Sequence, residues 1–270
     1  MLWLKIAFII DASDIFASII QLEVLKMVSK EVFQKHPDAL VISLGGSMLF
    51  RQGTTKVDEE YAGKFASLVQ GFASKGKKLI VIIGGGMRAK KAAGKARSLT
   101  RSEFFADREA IKATRKNAKV LQKLLGEQAF KKLIKSPDDA ALALESGKIG
   151  VGGGFLEGLT TDACSVLCAE RVGASTVFNV SNVQGVYDSD PKTNPAAKKF
   201  SEMTHSQLVE LAAVSDSRAA KGGGAFVFDL IACKLSARSN ITVHFVNGKD
   251  LQQVERALSG QSHQGTVVRA

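Results

Sequence analysis

A chain of 270 residues with 45% hydrophobic content has ample apolar mass for a buried core, which excludes disordered, collagen-like and disulfide-stapled scaffolds. Three cysteines cannot form a closed set of pairs, so a reducing cytoplasm suits the chain better than secretion. The net charge of +11 is local: residues 71–135 carry 18 basic and 4 acidic groups, against 7 and 8 in 1–70 and 12 and 14 in 136–270. A basic stretch of this kind suits nucleic acid, an anionic membrane or phosphate-bearing small substrates, or it is a solvated helical face.

The opening segment, Met1–Met27, is apolar, but Asp11 and Asp14 interrupt it and it contains no 18-residue apolar run. Neither a membrane span nor a signal peptide is expected, and residues 1–38 are read as an N-terminal extension of uncertain order, either an added helix or strand covering a hydrophobic edge or a segment not kept in the mature chain. Organised sequence begins near Ala39. Residues 39–44 form a strand ending in Gly45-Gly46-Ser47, and the spacing of Tyr61, Phe65, Leu68, Val69 and Phe72 predicts a helix over 57–73. A second apolar strand, 78–83, runs straight into Gly84-Gly85-Gly86. Apolar strands without alternation, separated by a helix, indicate a parallel sheet covered on both faces.

The basic stretch is helical, with Ala110, Ile111, Thr114, Ala118, Leu121 and Leu125 facing the core and lysines such as Lys123, Lys131 and Lys132 facing water. A short helix follows at 137–144, a glycine cluster at 150–154, and a helix from Thr160-Thr161-Asp162 to Arg171. Residues 176–180 are a strand, 204–214 a helix, Gly222-Gly223-Gly224 a break, 228–238 a helix, 241–246 a long strand and 266–268 a closing edge strand. The fold class is α/β: an αβα sandwich with a mainly parallel central sheet.

Glycine turns at 45–47, 84–86 and 152–154 each follow a strand or strand-like segment. Backbone N–H groups at such turns make anion-binding nests, and several of them point to a site at the carboxyl ends of the strands. Neither GxxxxGK[ST] nor GxGxxG after the first strand occurs, and HExxH and GxSxG are absent. Cys164 and Cys168, one helical turn apart, read as buried small hydrophobes rather than metal ligands, and no metal-ligand set emerges. What remains is cationic and hydroxylic: Arg88, Lys90, Lys91, Arg115, Lys234, Ser47, Thr160 and Thr161, with Asp162 and Asp229 able to orient cations. This equipment suits phosphoryl transfer by positioning and charge neutralisation. The basic stretch lacks aromatic interleaving, so no nucleic-acid partner is expected.

The motif order resembles the amino-acid-kinase fold, and within it the archaeal type of uridylate kinase. The matching stretches are LeuGlyGlySer (44–47), IleIleGlyGlyGlyMetArgAlaLys (82–90), AlaThrArgLysAsnAla (113–118), ThrThrAspAla (160–163), SerAsnValGlnGlyValTyrAspSerAspPro (181–191), PheAspLeuIleAlaCysLysLeuSerAlaArgSer (228–239) and HisGlnGlyThr (263–266). The resemblance implies transfer of the ATP γ-phosphoryl group to UMP with Mg²⁺ held mainly through nucleotide phosphates. It also implies a UMP-receiving lobe over 39–170, an ATP-receiving lobe over 171–270, and a cytoplasmic homo-oligomer, a hexamer in relatives. It places Gly45, Gly46, Ser47, Asp162 and Lys234 at the transfer cleft. Gly85, Gly86, Lys90, Asp107, Thr160 and Thr161 fall on the UMP side, and Asn182, Tyr187, Asp190, Asp229 and Lys234 on the ATP side.

The chain departs from the pattern at Ser43, where many relatives have lysine, at Gln184 and Leu230, and in the loop 155–159. These departures bear on nucleotide preference. The alternatives are a sibling kinase acting on another small phosphate or carboxylate, and a non-catalytic nucleotide- or oxyanion-binding relative.

Overall fold

The computed structural model describes residues 35–191, 193–219 and 227–270. Most of the predicted extension and the Gly222-Gly223-Gly224 break lie outside the described residues. Seven strands form one sheet in the order β3-β2-β1-β4-β6-β7-β5. They are β1 (Leu40–Leu44), β2 (Leu79–Ile83), β3 (Gly150–Gly152), β4 (Thr176–Ser181), β5 (Glu202–Thr204), β6 (Thr242–Asn247) and β7 (Thr266–Arg269). Strands β3, β2, β1, β4 and β6 are mutually parallel, and β7 runs antiparallel to β6.

Every residue of β1 and β2 is buried, as an apolar run covered on both faces requires. Successive side chains alternate between two cores. Val41, Ile80, Ile82 and Val177 face one, and Leu40, Ile42, Leu44, Val81, Ile83 and Val180 face the other. The first core is closed by helices α4 (Pro137–Glu145), α5 (Thr161–Val172), α6 (His205–Ala219) and α7 (Leu230–Arg238). The second is closed by α1 (Glu59–Ser74), α3 (Glu103–Leu125) and α8 (Leu251–Leu258). Helix α2 (Gly86–Thr100) packs on α3 and buries only Ala96, so its Lys90, Lys91, Lys95 and Arg97 face water.

Helix starts follow local chemistry. Asp58, Ser136, Thr160, Asp229 and Asp250 each accept a backbone N–H from the first turn they precede. All three cysteines are buried and free. No helix among the described residues is long and apolar enough to cross a membrane.

Two expectations are corrected. The final strand, β7, is not an edge: β5 pairs outside it, Glu202 to Val267 and Thr204 to Arg269. Three residues with a single buried side chain, Met203, carry too short a pattern to read as a strand. Lys132 does not simply face water, because its ammonium lies 2.7 Å from the buried Asp139 carboxylate.

Candidate active site

The chain runs from β1 outward through β2 to β3 and then returns across β1 to β4. The strand order reverses between β1 and β4, and in open α/β sheets the crevice at such a point takes the ligand. Two glycine turns meet at its rim. A Cβ built on Gly46 would lie 2.2 Å from the Gly84 carbonyl oxygen, and one on Gly86 would lie 2.7 Å from the Gly46 carbonyl carbon. Gly86 also has φ of +55°, which disfavours any side chain. The turns therefore touch backbone to backbone, and no other residue type fits at either position.

Helix α3 straps these turns from behind. The buried Asn117 donates through Nδ2 to the carbonyls of Gly84 and Gly85 at 2.9 and 3.0 Å. Thr114 Oγ1 accepts from Gly154 N at 2.8 Å, and the Arg115 guanidinium donates to the carbonyls of Gly154 and Phe155. Arg88 donates to Thr55 O and stacks on the Phe50 ring. Arg88 and Arg115 thus serve the protein's own backbone and ring faces. The sequence held the strap in plain view as 113–118, but nothing in the periodicity distinguishes Asn117 from a solvent-facing polar residue.

A second group forms at the start of α5. Asp162 accepts at Oδ1 from Ser43 Oγ at 2.7 Å and Asn179 Nδ2 at 3.0 Å. Thr160 donates to Asp229 Oδ2 and accepts from Ala163 N, while Asp229 Oδ1 caps α7 through Ile231 N and Ala232 N. Thr161 Oγ1 lies 3.5 Å from where a Gly84 Cβ would be, so the second glycine turn and the start of α5 adjoin. Burial and the negative charge of Asp229 push the Asp162 carboxyl up to about 7.

Because the folded pKa lies above the usual carboxylate value, the folded state holds its proton more tightly than the unfolded chain does. The Asp162 contribution to stability is present below about pH 4 and is lost as pH rises through about 7. The isosteric Asp162→Asn is therefore expected to melt above wild type at pH 8, with the difference closing toward pH 4. Equal melting shifts at both pH values would contradict this burial.

The remaining predicted residues are placed as follows. Gly45 N donates to Val180 O, and Gly45 abuts Ser181, so the first glycine turn and the end of β4, with Asn182 next, share the crevice. Lys234 stands exposed on α7, just over a turn beyond Asp229, and Lys90 stands exposed on α2. Ser47 is exposed at the first turn. Asp107 accepts from Gly158 N at 2.9 Å and Arg108 pairs with Glu157, so the loop 155–159 is anchored on α3.

Tyr187 pairs with Lys199 across a small bridge, and the Asp190 carbonyl closes a turn at Thr193 and Asn194. This loop is clasped by Thr266, which accepts from Val186 N and donates to Phe200 O. Ahead of Thr266, His263 Nδ1 accepts from Gly265 N and so carries its proton on Nε2, which donates to His244 Nδ1 at 2.8 Å. Burial and the neighbouring imidazole push His244 down to about 4.

The model of the Amino acid kinase family matches residues 38–247. A uridylate kinase of Methanospirillum hungatei is 35% identical over 229 residues, covering 85% of this chain and 94% of the relative. That of Thermococcus gammatolerans is 37% identical over 230 residues, covering 85% and 98%. The chain belongs to the amino acid kinase family. The crystal structure of a uridylate kinase from Archaeoglobus fulgidus superposes with a TM-score of 0.73 at 33% identity, covering 85% of this chain and 99% of that one. A UMP kinase structure from Bacillus anthracis, 21% identical with a TM-score of 0.67, shares the fold. In this amino acid kinase the paired glycine turns, Asp162 and Asp229 gather at one crevice.

Proposed function

We propose that the protein moves the γ-phosphoryl group of ATP to UMP, giving UDP and ADP. The observation that carries this reading is the pair of interlocked glycine turns at the β1–β4 crevice, in a chain matching uridylate kinases over nearly their whole length. A UMP phosphate oxygen attacks the γ-phosphorus, the bond from that phosphorus to the bridging oxygen breaks, and ADP leaves. No general base is needed, since the attacking phosphate is largely ionised at pH 7. Backbone N–H groups of the turns and the Lys234 ammonium neutralise charge that spreads over the transferred group.

The lobe over 39–170 would receive UMP, with Lys90, Asp107, Thr160, Thr161, Gly85 and Gly86 on its side. The lobe over 171–270 would receive ATP against Asn182, Tyr187, Asp190 and Asp229. The donor set bears on Mg²⁺. Both Asp229 oxygens and Asp162 Oδ1 already accept protein hydrogen bonds, which suits an ion carried on nucleotide phosphates rather than held by side chains. Carried in with the nucleotide, the ion would supply charge neutralisation for the phosphoryl group in transfer. A cytoplasmic homo-oligomer, a hexamer, completes this reading.

Lys90 provides the first test. Its exposed ammonium on α2, four residues beyond Gly86, is assigned to the UMP phosphate. Lys90→Ala is expected to raise the KM for UMP about tenfold, from loss of one charged hydrogen bond, and to leave the KM for ATP within about twofold. Steady-state titration of each nucleotide checks this, and an effect confined to ATP would reverse the assignment of the lobes.

A further inference from the structure

Strands buried on both faces are expected to be apolar, and the buried stretches of β1 (40–44) and β4 (177–180) are so except at one place each. Ser43 and Asn179 are 2% and 3% exposed and lie opposite each other in the β1–β4 register. Both project to the face covered by α5, the face that Val41 and Val177 share. Leaving polar groups there costs free energy unless they are hydrogen-bonded. Both spend a donor on one atom, Asp162 Oδ1. The Asn179 amide oxygen is buried without any hydrogen-bond partner, a cost that apolar packing at this position would avoid.

We infer that Ser43 and Asn179 are positioning residues that fix the Asp162 carboxyl at the mouth of the β1–β4 crevice and set its charge through neutral hydrogen bonds. The inference rests on the kinase reading, in which Asp162 stands at the transfer cleft. The titratable groups facing Asp162 are Asp229 at the start of α7, Cys164 on its own helix and Cys233 on α7. Burial pushes both thiols up, Cys164 to about 11, so they stay neutral through the range that matters. The two donors favour the carboxylate, while burial and Asp229 favour the acid. Asp162 therefore changes charge near neutral pH, and each donor removed moves that change to higher pH.

The experiment compares wild type with Asn179→Val, Ser43→Ala and Ser43→Thr. The valine suits a buried strand and the threonine keeps the hydroxyl. Wild-type kcat is expected to rise with pH through about 7. In Asn179→Val and Ser43→Ala this acid limb should move up by roughly one pH unit, lowering kcat about tenfold at pH 6.5 and within about twofold at pH 9. KM values should change little, and Ser43→Thr should restore the wild-type profile.

The second readout does not depend on turnover. The Asp162 carboxyl is titrated by carbon NMR in ¹³C-aspartate-labelled protein, its signal assigned by loss in Asp162→Asn. The same upward displacement is expected in both donor-deleted variants. An unmoved Asp162 titration in them overturns the inference, as does a uniform loss of kcat at every pH. Wild type that makes no UDP while the NMR titration shifts as expected would instead count against the kinase reading. If either variant fails to fold, the other decides on the same criterion.

Discussion

Gly46→Ala is expected to lose stability and activity together. The added methyl would begin 2.2 Å from the Gly84 carbonyl oxygen and 2.5 Å from both the Gly84 carbonyl carbon and Gly86 N. These are backbone atoms, and they are themselves pinned: Gly84 N donates to Leu44 O, and Asn117 holds the Gly84 and Gly85 carbonyls. The turn cannot swing away as a flexible side chain would. Relief requires the two strand ends to separate, at a cost of about 3 kcal/mol by comparison with overpacked cores. For a domain of this size that is a fall in Tm of roughly 10 °C. The same separation would misalign the N–H groups proposed to face the transferred phosphate, and misplacement by about 1 Å costs roughly a hundredfold in rate. A thermal scan and a UDP assay on one preparation check both halves. Wild-type activity in Gly46→Ala would show that the interlocked turns are packing and not site.

Lys234→Ala should show the opposite combination, a large loss of kcat with an unchanged fold. The side chain is exposed on α7 and makes no ion pair with a described residue, so its removal should leave stability within about 0.5 kcal/mol. Its neighbour on the helix fixes where it stands, because Asp229 caps the first turn of α7 and is tied to the start of α5 through Thr160. Loss of one donor to developing charge costs about 3 kcal/mol, or roughly a hundredfold in kcat. KM for ATP should change far less, since in the proposed reaction the charge that the ammonium meets grows in the transition state. Lys234→Arg tests whether a charge alone suffices. An unchanged kcat in Lys234→Ala would remove this residue from the chemistry.

The parts of this molecule that were legible in advance are those governed by local chain physics. Apolar runs at 40–44, interrupted only by Ser43, and at 79–83 announce buried parallel strands, and the helices on either face follow from their 3.6-residue stripes. The glycine turns were visible as motifs, although their interlocking is a matter of strand order that no local pattern encodes. Strand β5 escaped because three residues hold no period. Asn117 escaped for another reason: a polar residue on a basic helix looks solvated until the helix is laid against two glycine carbonyls.

Asn179 shows the same limit most clearly. An asparagine within an apolar strand reads locally as a defect. Its partner, Asp162, lies 17 residues away in the chain at a helix start, and Ser43 lies 119 residues from that same carboxylate. The β1–β4 register sets Ser43 beside Asn179, and the start of α5 on that face brings Asp162 to both. The charge distribution is also recast. The basic excess over 71–135 divides among cations that hold the protein's own backbone, such as Arg115, paired cations such as Lys132, and the exposed lysines of α2 and α3.

The reaction proposed at the β1–β4 crevice is tested most directly by a panel of phosphoryl acceptors. The purified protein is given ATP and Mg²⁺ with UMP, CMP, AMP or small carboxylic acids in parallel, and ADP and phosphorylated product are quantified together. The expected result is UDP and ADP formed one for one with UMP, and much slower turnover with every other acceptor. Absence of UDP, or faster ADP formation with a carboxylic acid, would contradict it.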